Sequence, residues 1–305
     1  MSFRTPSTTQ NRQALLDLER TKERLSVNNS RIASGKRLSR PGDDPTAAAL
    51  ILDFGHSIQA NAQFLKQADS AMSFLKSAED AVATALNDTT RLQELAQQGL
   101  TSTNAGAGRA AMAQEVDSIR TNLLSLGNTQ AQGKYLFGGT QTQTIPFVDA
   151  APPAGPINYA GDAGIISLDV TTTTSVATNI PGSSAFFGTG GQGSSTDLFK
   201  AVTDLRDGLN TNDTVLIQTA ATNLKAIMAN LNQVQTDLGG RQAGLLDLKD
   251  TLSGTNVTLQ DLQNTQQDTN YAQAVTEYSS DQTVQSATLS TLAKSSKTNL
   301  FDYLG

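Results

Sequence analysis

A long regular pattern of apolar residues lies between residues 51 and 89. Apolar side chains recur there at alternating steps of three and four, which is the spacing of a helix that packs along a partner. The positions are Ile51, Phe54, Ile58, Asn61, Leu65, Ala68, Met72, Leu75, Glu79, Val82, Leu86 and Thr89. This pattern predicts one continuous helix of about fifty residues with a coiled-coil-like seam.

A second seam of the same kind, the strongest in the chain, runs from residue 224 to residue 266. Its positions are Leu224, Ile227, Leu231, Val234, Leu238, Arg241, Leu245, Leu248, Leu252, Thr255, Leu259, Leu262 and Gln266. Gly239 and Gly240 interrupt it, and two adjacent glycines are expected to bend or loosen a helix. Two long helices with such seams predict an antiparallel, side-by-side rod.

Both ends of the chain are predicted to be helical but weakly apolar. Near the N-terminus the apolar points are Leu15, Leu18, Leu25 and Ile32. From residue 271 to 305 they are Val275, Tyr278, Leu289, Leu292, Leu300, Phe301 and Leu304. Most helix stability comes from packing an apolar face, and polar residues fill the gaps in both patterns. We therefore expect both terminal helices to depend on a partner.

The middle of the chain has a different period. It is rich in Pro and Gly, and Ile166, Leu168 and Val170 alternate with polar residues, which is typical of strands separated by turns. The predicted fold is mainly α, a long antiparallel coiled-coil-like helical rod formed by N- and C-terminal segments, with a small β-rich inserted domain. The predicted parts are terminal helices at 1–40 and 271–305, the rod at 41–132 and 197–270, and the insertion at 133–196.

Composition excludes several functional classes. With no Cys and a single His, the chain cannot build a thiolate metal site, a multi-His zinc site or a Cys nucleophile. A net charge of −6 and only 5% aromatic residues argue against a nucleic-acid partner. The apolar runs are too short for membrane insertion, and the first forty residues lack the apolar core of a secretory signal.

Two glycine-containing patterns look like nucleotide sites but miss the requirements of those sites. The segment 34–37 ends like a phosphate-binding loop, yet position 30 is Ser and position 37 is Arg, where the motif needs Gly and Ser or Thr. Gly188, Gly190 and Gly193 have the spacing of a dinucleotide fingerprint but lie in Gly/Ser/Thr-rich sequence, which favours a flexible connector.

The candidate acid–base residues are equally weak. Asp43 and Asp44 are adjacent and are interpreted as turn and cap residues for a helix with Pro45 in its first turn. The lone His56 is interpreted as a packed or surface residue, since it has no Cys or second His as a partner. We therefore predict no catalytic residue, no cofactor and no metal, and a protein that is not an enzyme.

Several longer motifs resemble one known family. Ser34-Gly35-Lys36-Arg37-Leu38, Pro41-Gly42-Asp43-Asp44-Pro45 and Ala47-Ala48 resemble the N-terminal signature of the bacterial flagellin superfamily. Gly133-Lys134-Tyr135-Leu136-Phe137-Gly138-Gly139-Thr140, followed by Pro146-Phe147, resembles its hook-associated branch. The C-terminal motifs similar to that branch are Leu238-Gly239-Gly240-Arg241, Tyr271-Ala272-Gln273-Ala274, Gln285-Ala287-Leu289 and Leu300-Phe301-Asp302-Tyr303-Leu304. The resemblance covers roughly residues 1–147 and 196–305.

The resemblance implies a structural subunit of the extracellular bacterial flagellum, exported by the flagellar type III apparatus without a cleaved signal peptide. It implies a tube at the hook–filament junction, lined by the terminal helices. The implied partners are copies of the chain itself, a hook-associated protein on the hook side, flagellin on the filament side and an export chaperone before secretion. The candidate assembly residues are Leu15, Leu18, Leu25, Ile32, Tyr278, Leu289, Leu292, Phe301 and Leu304.

Two other functional classes stay open beside the junction subunit. Flagellin, the filament subunit, shares the terminal signatures but would grow into long filaments. A coiled-coil adhesin or phage-tail-like fibre would have the heptads without the paired terminal signatures, and it predicts a stable trimer. An enzyme is the least supported class, and nucleotide binding would be needed to revive it.

Overall fold

The computed structural model describes residues 6–38, 40–101, 106–150, 155–171 and 174–304. Its helices are α1 (Pro6–Ser34), α2 (Pro45–Leu100), α3 (Ala107–Gly127), α4 (Gly182–Phe186), α5 (Leu198–Thr211), α6 (Thr214–Gln267) and α7 (Tyr271–Leu304). The chain forms two compact units, a terminal unit (Met1–Ala60 with Thr255–Gly305) and a central unit (Asn61–Gly254). The predicted mainly α fold, with long helices that pack against each other and a small antiparallel β region, is confirmed.

Within the central unit, α2 and α6 run antiparallel. Gln242 of α6 donates a hydrogen bond to Glu79 of α2 at 3.0 Å, while Lys249, further along α6, pairs with Asp69, earlier on α2. The buried positions of the two seams include Ala68, Leu75, Val82, Thr89, Leu224, Ile227, Leu231, Val234, Leu238, Leu245 and Leu252. The predicted heptad seams are therefore confirmed in this unit, and α3 packs beside them against α5.

Two adjacent carboxylates fix the start of α2 in the terminal unit. The Asp44 carboxylate accepts the Ala47 N–H at 3.1 Å, and the Asp43 carboxylate accepts the Arg40 N–H at 3.0 Å. The hydrogen bond from Ala47, helped by the Arg37 guanidinium, lowers the pKa of Asp44. The predicted turn and cap roles of this pair, with Pro45 opening the helix, are confirmed.

Among the described residues of the central unit, the β region consists of three two-stranded antiparallel ladders. They are β1 (Gln130–Ala131) with β2 (Lys134–Tyr135), β3 (Phe147–Asp149) with β4 (Ile157–Tyr159), and β5 (Ser167–Asp169) with β6 (Ser175–Ala177). Gln132 and Gly133 join the first pair with φ of 51° and 75°, as a tight hairpin turn requires. The predicted strand around Leu168 corresponds to β5.

An aromatic cluster ties this β region to the helices. Its rings, with centroids 5.0–6.4 Å apart, are Phe137, Phe147, Tyr159, Phe186, Phe187 and Phe199. Most pairs meet edge to face or tilted, the arrangements that aromatic quadrupoles favour. The Phe147 ring is fully buried, and two glycines, Gly127 and Gly182, give it room on the helices.

Replacing Gly182 by Ala is expected to destabilise the central unit. A Cβ at this position would lie 2.6 Å from Cζ of Phe147 and 2.8 Å from the carbonyl oxygen of Phe137, both of which are buried. Overpacking of this kind typically costs about 1–3 kcal/mol. Urea denaturation followed by circular dichroism measures the loss, with the exposed Ser184→Ala as the control. An unchanged midpoint in Gly182→Ala would contradict this packing.

Candidate assembly interface

Helices α1 and α7 of the terminal unit lie antiparallel, and the contact between them is largely polar. Arg24 of α1 pairs with Asp281 of α7 at 3.1 Å, and the Asn28 amide donates to the same carboxylate at 3.5 Å. Thr21 and Asn28 of α1 are buried, as are Leu18 of α1 and Ala274 of α7. A helix pair that packs alone normally buries a continuous apolar stripe, so the polar residues in this seam reduce its hydrophobic stabilisation.

Several other apolar residues of these two helices lie outside the seam and are exposed. On α1, Leu15 is 53% exposed, and Leu16 and Val27 are also exposed. On α7, Leu289 is 48% exposed. Among the described side chains of α7, Tyr271, Val275 and Val284 are also exposed. Exposed apolar surface that recurs along a helix is typical of a binding face, since isolated exposed residues would not be spaced this way.

Three of the exposed apolar residues of α7 form a stripe on one flank, whereas Val284 lies on another side of the helix. At about 100° per residue, Tyr271, Val275 and Leu289 share one side of the helix. Ala274 and Asp281, which face α1, lie roughly a quarter-turn away. On α1, Leu16 and Val27 occupy the side opposite the seam by the same geometry. The terminal pair therefore presents apolar faces that nothing in the terminal unit covers among the described residues.

The structure distributes the predicted assembly residues over different environments. Leu18 is buried, and Leu25, Ile32, Tyr278 and Leu292 are half-buried. Leu15 and Leu289 are exposed. Phe301 and Leu304 belong to α7, but their side chains lie outside the described residues.

Sequence reasoning missed the exposed Leu16 and Val27 of α1 and Tyr271 and Val284 of α7 as assembly candidates. The signal that could have found them is their position off the heptad seam, on a helix that is otherwise polar.

An open groove of about 850 Å³ runs beside the polar seam of the terminal pair. Both signs of charge line it, with Arg20, Arg24, Arg31, Glu23, Glu277 and Asp281 among the lining residues. Mixed charge of this kind fixes the register and orientation of a contact more than its affinity. The groove and the apolar stripe together make the terminal pair the best candidate for an assembly surface.

The N-terminal motif residues connect α1 and α2 to the turn between α6 and α7. Arg37 donates from its backbone N–H to the Gln267 carbonyl at 2.7 Å and from its guanidinium to the Gln266 carbonyl at 3.0 Å. The guanidinium also pairs with Asp44 at 3.3 Å. Gly35, with φ +69°, ends α1 and accepts the Thr269 N–H at 2.9 Å. These motifs therefore connect the end of α1 to the turn that leads into α7, where the two terminal helices meet.

A second polar node, in the central unit, joins two motifs that are far apart in sequence. Thr140, at the end of the 133–140 motif, donates from both its N–H and its hydroxyl to Asp162. The Asn179 amide donates to the carbonyl of Gly139 at 3.2 Å. Arg241, from the C-terminal motif, donates to the Asn179 carbonyl at 2.9 Å. The insertion is thus fastened to α6 through Asn179.

Acidification is expected to loosen this second node. The Thr140 hydroxyl and N–H, with the Gly164 N–H, lower the pKa of Asp162 from its usual 3.8. A lowered pKa in the folded state stabilises the fold above pH 3.8, and this contribution is lost as the pH falls through the folded pKa. Asp162→Ala removes the contribution at neutral pH, so the variant unfolds at a lower temperature than the wild type.

Thermal unfolding recorded from pH 7 to pH 3 tests this expectation, and the difference in Tm between wild type and Asp162→Ala should shrink toward pH 3. Asp169→Ala in the exposed part of β5 is the control and should move Tm little at any pH. A constant difference across the range would show that the carboxylate charge contributes nothing.

The glycine-rich segment at 188–193 and the lone His56 lie in ordinary structural surroundings. Gly188–Gly190 form a 3₁₀ turn that follows α4, not a strand, and His56 is exposed on α2. Across the described residues, no three His, Cys, Asp or Glu side chains come together as a metal site would require. None of the helices in those stretches is both long and apolar enough to cross a membrane.

Comparison with known proteins finds similarity to flagellar proteins. Residues 7–142 match the bacterial flagellin N-terminal helical region. The chain is 28% identical over 159 residues to flagellar hook-associated protein 3 of Escherichia coli, across 51% of this chain and 48% of that protein. It is 30% identical over 123 residues to the protein of the same name from Salmonella typhimurium, across 39% and 38%. The matches thus span about half or less of these relatives.

Solved structures show the same fold. A flagellar hook-associated protein from Vibrio parahaemolyticus superposes with a TM-score of 0.67 at 19% identity, over 74% of this chain and 99% of that one. The flagellar junction protein FlgL from Legionella pneumophila superposes with a TM-score of 0.58 at 18% identity, over 73% and 100%. At this level of identity the similarity establishes the architecture.

Proposed function

Because residues 7–142 belong to the bacterial flagellin N-terminal helical family, we propose that this chain is a structural subunit of the bacterial flagellum that joins hook to filament. The named relatives support the hook-associated branch, since both carry the name flagellar hook-associated protein 3. The predicted assignment to this superfamily, most similar to its junction protein, is confirmed. The position at the junction is the proposal.

The observation that carries the proposal is the exposed apolar surface on the terminal helix pair. Polar residues such as Thr21, Asn28 and Asp281 lie in the seam beside Leu18, and apolar residues such as Leu16 and Leu289 face outward. An exposed apolar helix face gains free energy when a second helix covers it. The subunits assemble into a tube through these faces, each copy covering the faces of its neighbours.

The composition of α7 supports a helix that needs such a partner. Many of its hydroxyls bond back to the carbonyl four residues earlier, a pattern that slightly destabilises and bends helices. The residues are Thr276, Thr283, Ser286, Thr288, Ser290 and Thr291. With a polar seam against α1, the helix gains its remaining stability from neighbouring subunits.

The proposed partners follow from the proposed position of the chain between the hook and the filament. They are copies of this chain, a hook-associated protein on the hook side and flagellin on the filament side, with an export chaperone before secretion. The chain would leave the cell without a cleaved signal peptide and reside in the extracellular flagellum. Its role is mechanical, with no reaction to catalyse.

Flagellin is the second candidate function, because the family match to residues 7–142 is to a flagellin region. Deleting the gene in its own bacterium separates the two. A junction subunit predicts intact hooks without filaments, with flagellin released into the medium. A filament subunit predicts the same bare hooks but no other flagellin in the medium. Normal filaments on the deletion strain would contradict both, and the full chain supplied in trans should restore motility.

A further inference from the structure

Helix α6 carries three glycines within one and a half turns, Gly239, Gly240 and Gly244, in the middle of the central unit. All three are exposed, and their φ values are not positive. A Cβ added to any of them would meet nothing within 4 Å. Neither a left-handed backbone nor close packing within the chain therefore accounts for them.

Apart from Gly254 at the end of the central unit, where a Cβ would also meet nothing within 4 Å, the other described helical glycines of this unit have a packing reason. A Cβ on Gly99 would lie 2.6 Å from Leu209, and one on Gly127 would lie 2.7 Å from Phe147. Those positions require glycine because a neighbouring side chain occupies the space. The contrast separates glycines that permit packing from glycines that only weaken the helix.

The opposite side of the same α6 segment packs against small residues. Leu238 and Leu245 are buried there, and the hydrogen bond from Gln242 to Glu79 marks the facing stretch of α2. The buried residues of that stretch are Ala68, Ala71, Leu75, Ala78 and Ala81. Alanines bury little apolar area, so tertiary packing adds less helix stability here than larger side chains would.

One side chain of this segment also fastens the insertion. Arg241, between the glycines, donates to the carbonyls of Ala177 at 3.4 Å and Asn179 at 2.9 Å. It pairs with Asp237, one turn earlier on α6, at 2.7 Å. A change in the backbone of the segment therefore moves the group that holds the insertion.

We infer that residues 239–244 are a built-in opening point of α6, at which the helix opens locally and releases the insertion while Leu238 and Leu245 stay buried. Each exposed Gly lowers the equilibrium constant for helix formation about fivefold relative to Ala. Three glycines within six residues therefore concentrate the loss of helix stability in one segment. Low-stability segments of this kind open far more often than the fold as a whole. The inference is independent of which flagellar proteins the chain contacts.

Hydrogen exchange of the full chain, followed by mass spectrometry, tests this inference. Amides of residues 239–244 should exchange at least tenfold faster than those of residues 224–234 in the same helix. The double variant Gly240→Ala/Gly244→Ala should slow that exchange by about 25-fold, because two glycine penalties are removed. It should also slow exchange at residues 175–182, where Arg241 holds the insertion.

The reciprocal control is Ala226→Gly, at an exposed position of α6 outside the segment. It should speed exchange around residue 226 and leave residues 239–244 unchanged. Wild-type amides at 239–244 that are as protected as those at 224–234 would overturn the inference. So would a double variant whose exchange is unchanged at 239–244, or one that slows there without any effect at 175–182.

Discussion

Leu289→Asp is expected to abolish incorporation of the chain into flagella while leaving the monomer folded. Leu289 is 48% exposed, so the carboxylate costs the free chain little. In the proposed assembly the same position faces a neighbouring helix, and a charge buried without a partner there costs at least about 3 kcal/mol. That is more than a factor of about 100 in an association constant. Swarming and immunolabelling of flagella measure the loss.

The matched control places the same charge one residue further along α7. Ser290 is exposed on a different side of the helix, and its hydroxyl only bonds back to the Ser286 carbonyl. Ser290→Asp should therefore retain substantially more motility than Leu289→Asp, with equal amounts of both proteins secreted. Full motility in Leu289→Asp would mean that the apolar flank of α7 is not an assembly face.

Arg120→Ala is expected to lower the free energy of unfolding of the central unit by about 3–5 kcal/mol. Arg120 of α3 is 2% exposed, pairs with Asp149 of β3 at 2.9 Å and donates to the Gly155 carbonyl at 2.6 Å. Removing the guanidinium takes the countercharge away from a buried carboxylate. A buried charge that has lost its countercharge accounts for most of the free energy lost when a buried ion pair is broken. The β3–β4 hairpin also loses this ion pair to α3.

Urea denaturation followed by circular dichroism and tyrosine fluorescence measures this effect. The control is Arg91→Ala, because Arg91 makes ion pairs with Glu94 and Glu115 that are exposed to solvent. Exposed pairs of this kind contribute little, so its unfolding midpoint should stay near the wild-type value. An equal loss of unfolding free energy in the two variants would show that burial does not determine how much the Arg120 ion pair contributes to stability.

Much of the helical architecture could be predicted from periodicity because one physical requirement determines it. Positions such as Leu75, Val82, Leu231 and Leu238 repeat at heptad spacing, and each is buried. Asp44 was recognisable as a cap since the Pro45 that follows it favours the first turn of a helix. At these positions the local sequence signals and the burial of side chains in the core predict the same helices.

The exposed apolar residues of the terminal helix pair were predicted only in part, because periodicity identifies which residues share a side and not what covers that side. Leu18 belongs to the seam inside the terminal unit, whereas Leu289, assigned to the same interface, lies on an exposed flank. The outward Leu16 and Val27 do not follow the heptad pattern at all. The spacing of apolar residues along one helix does not indicate which of them would pack against another copy of the chain.

The insertion network could not be predicted, since its hydrogen bonds join segments distant in sequence. Asn179 carried no signal by itself, yet it connects the Gly139 carbonyl to Arg241 across more than sixty residues of chain. Such partners follow from tertiary structure alone. The sequence resemblance marked both ends of this network as motifs without giving their physical connection.

The most direct test of the proposed role is the addition of the purified chain to isolated flagellar hooks carrying the preceding hook-associated protein, followed by electron microscopy. A junction subunit should add a short layer of fixed length to the hook end, and flagellin added afterwards should then extend filaments from it. Leu289→Asp should leave the hook ends bare. Growth of the chain alone into long filaments, or hook ends that stay bare with the wild-type chain, would contradict the proposal.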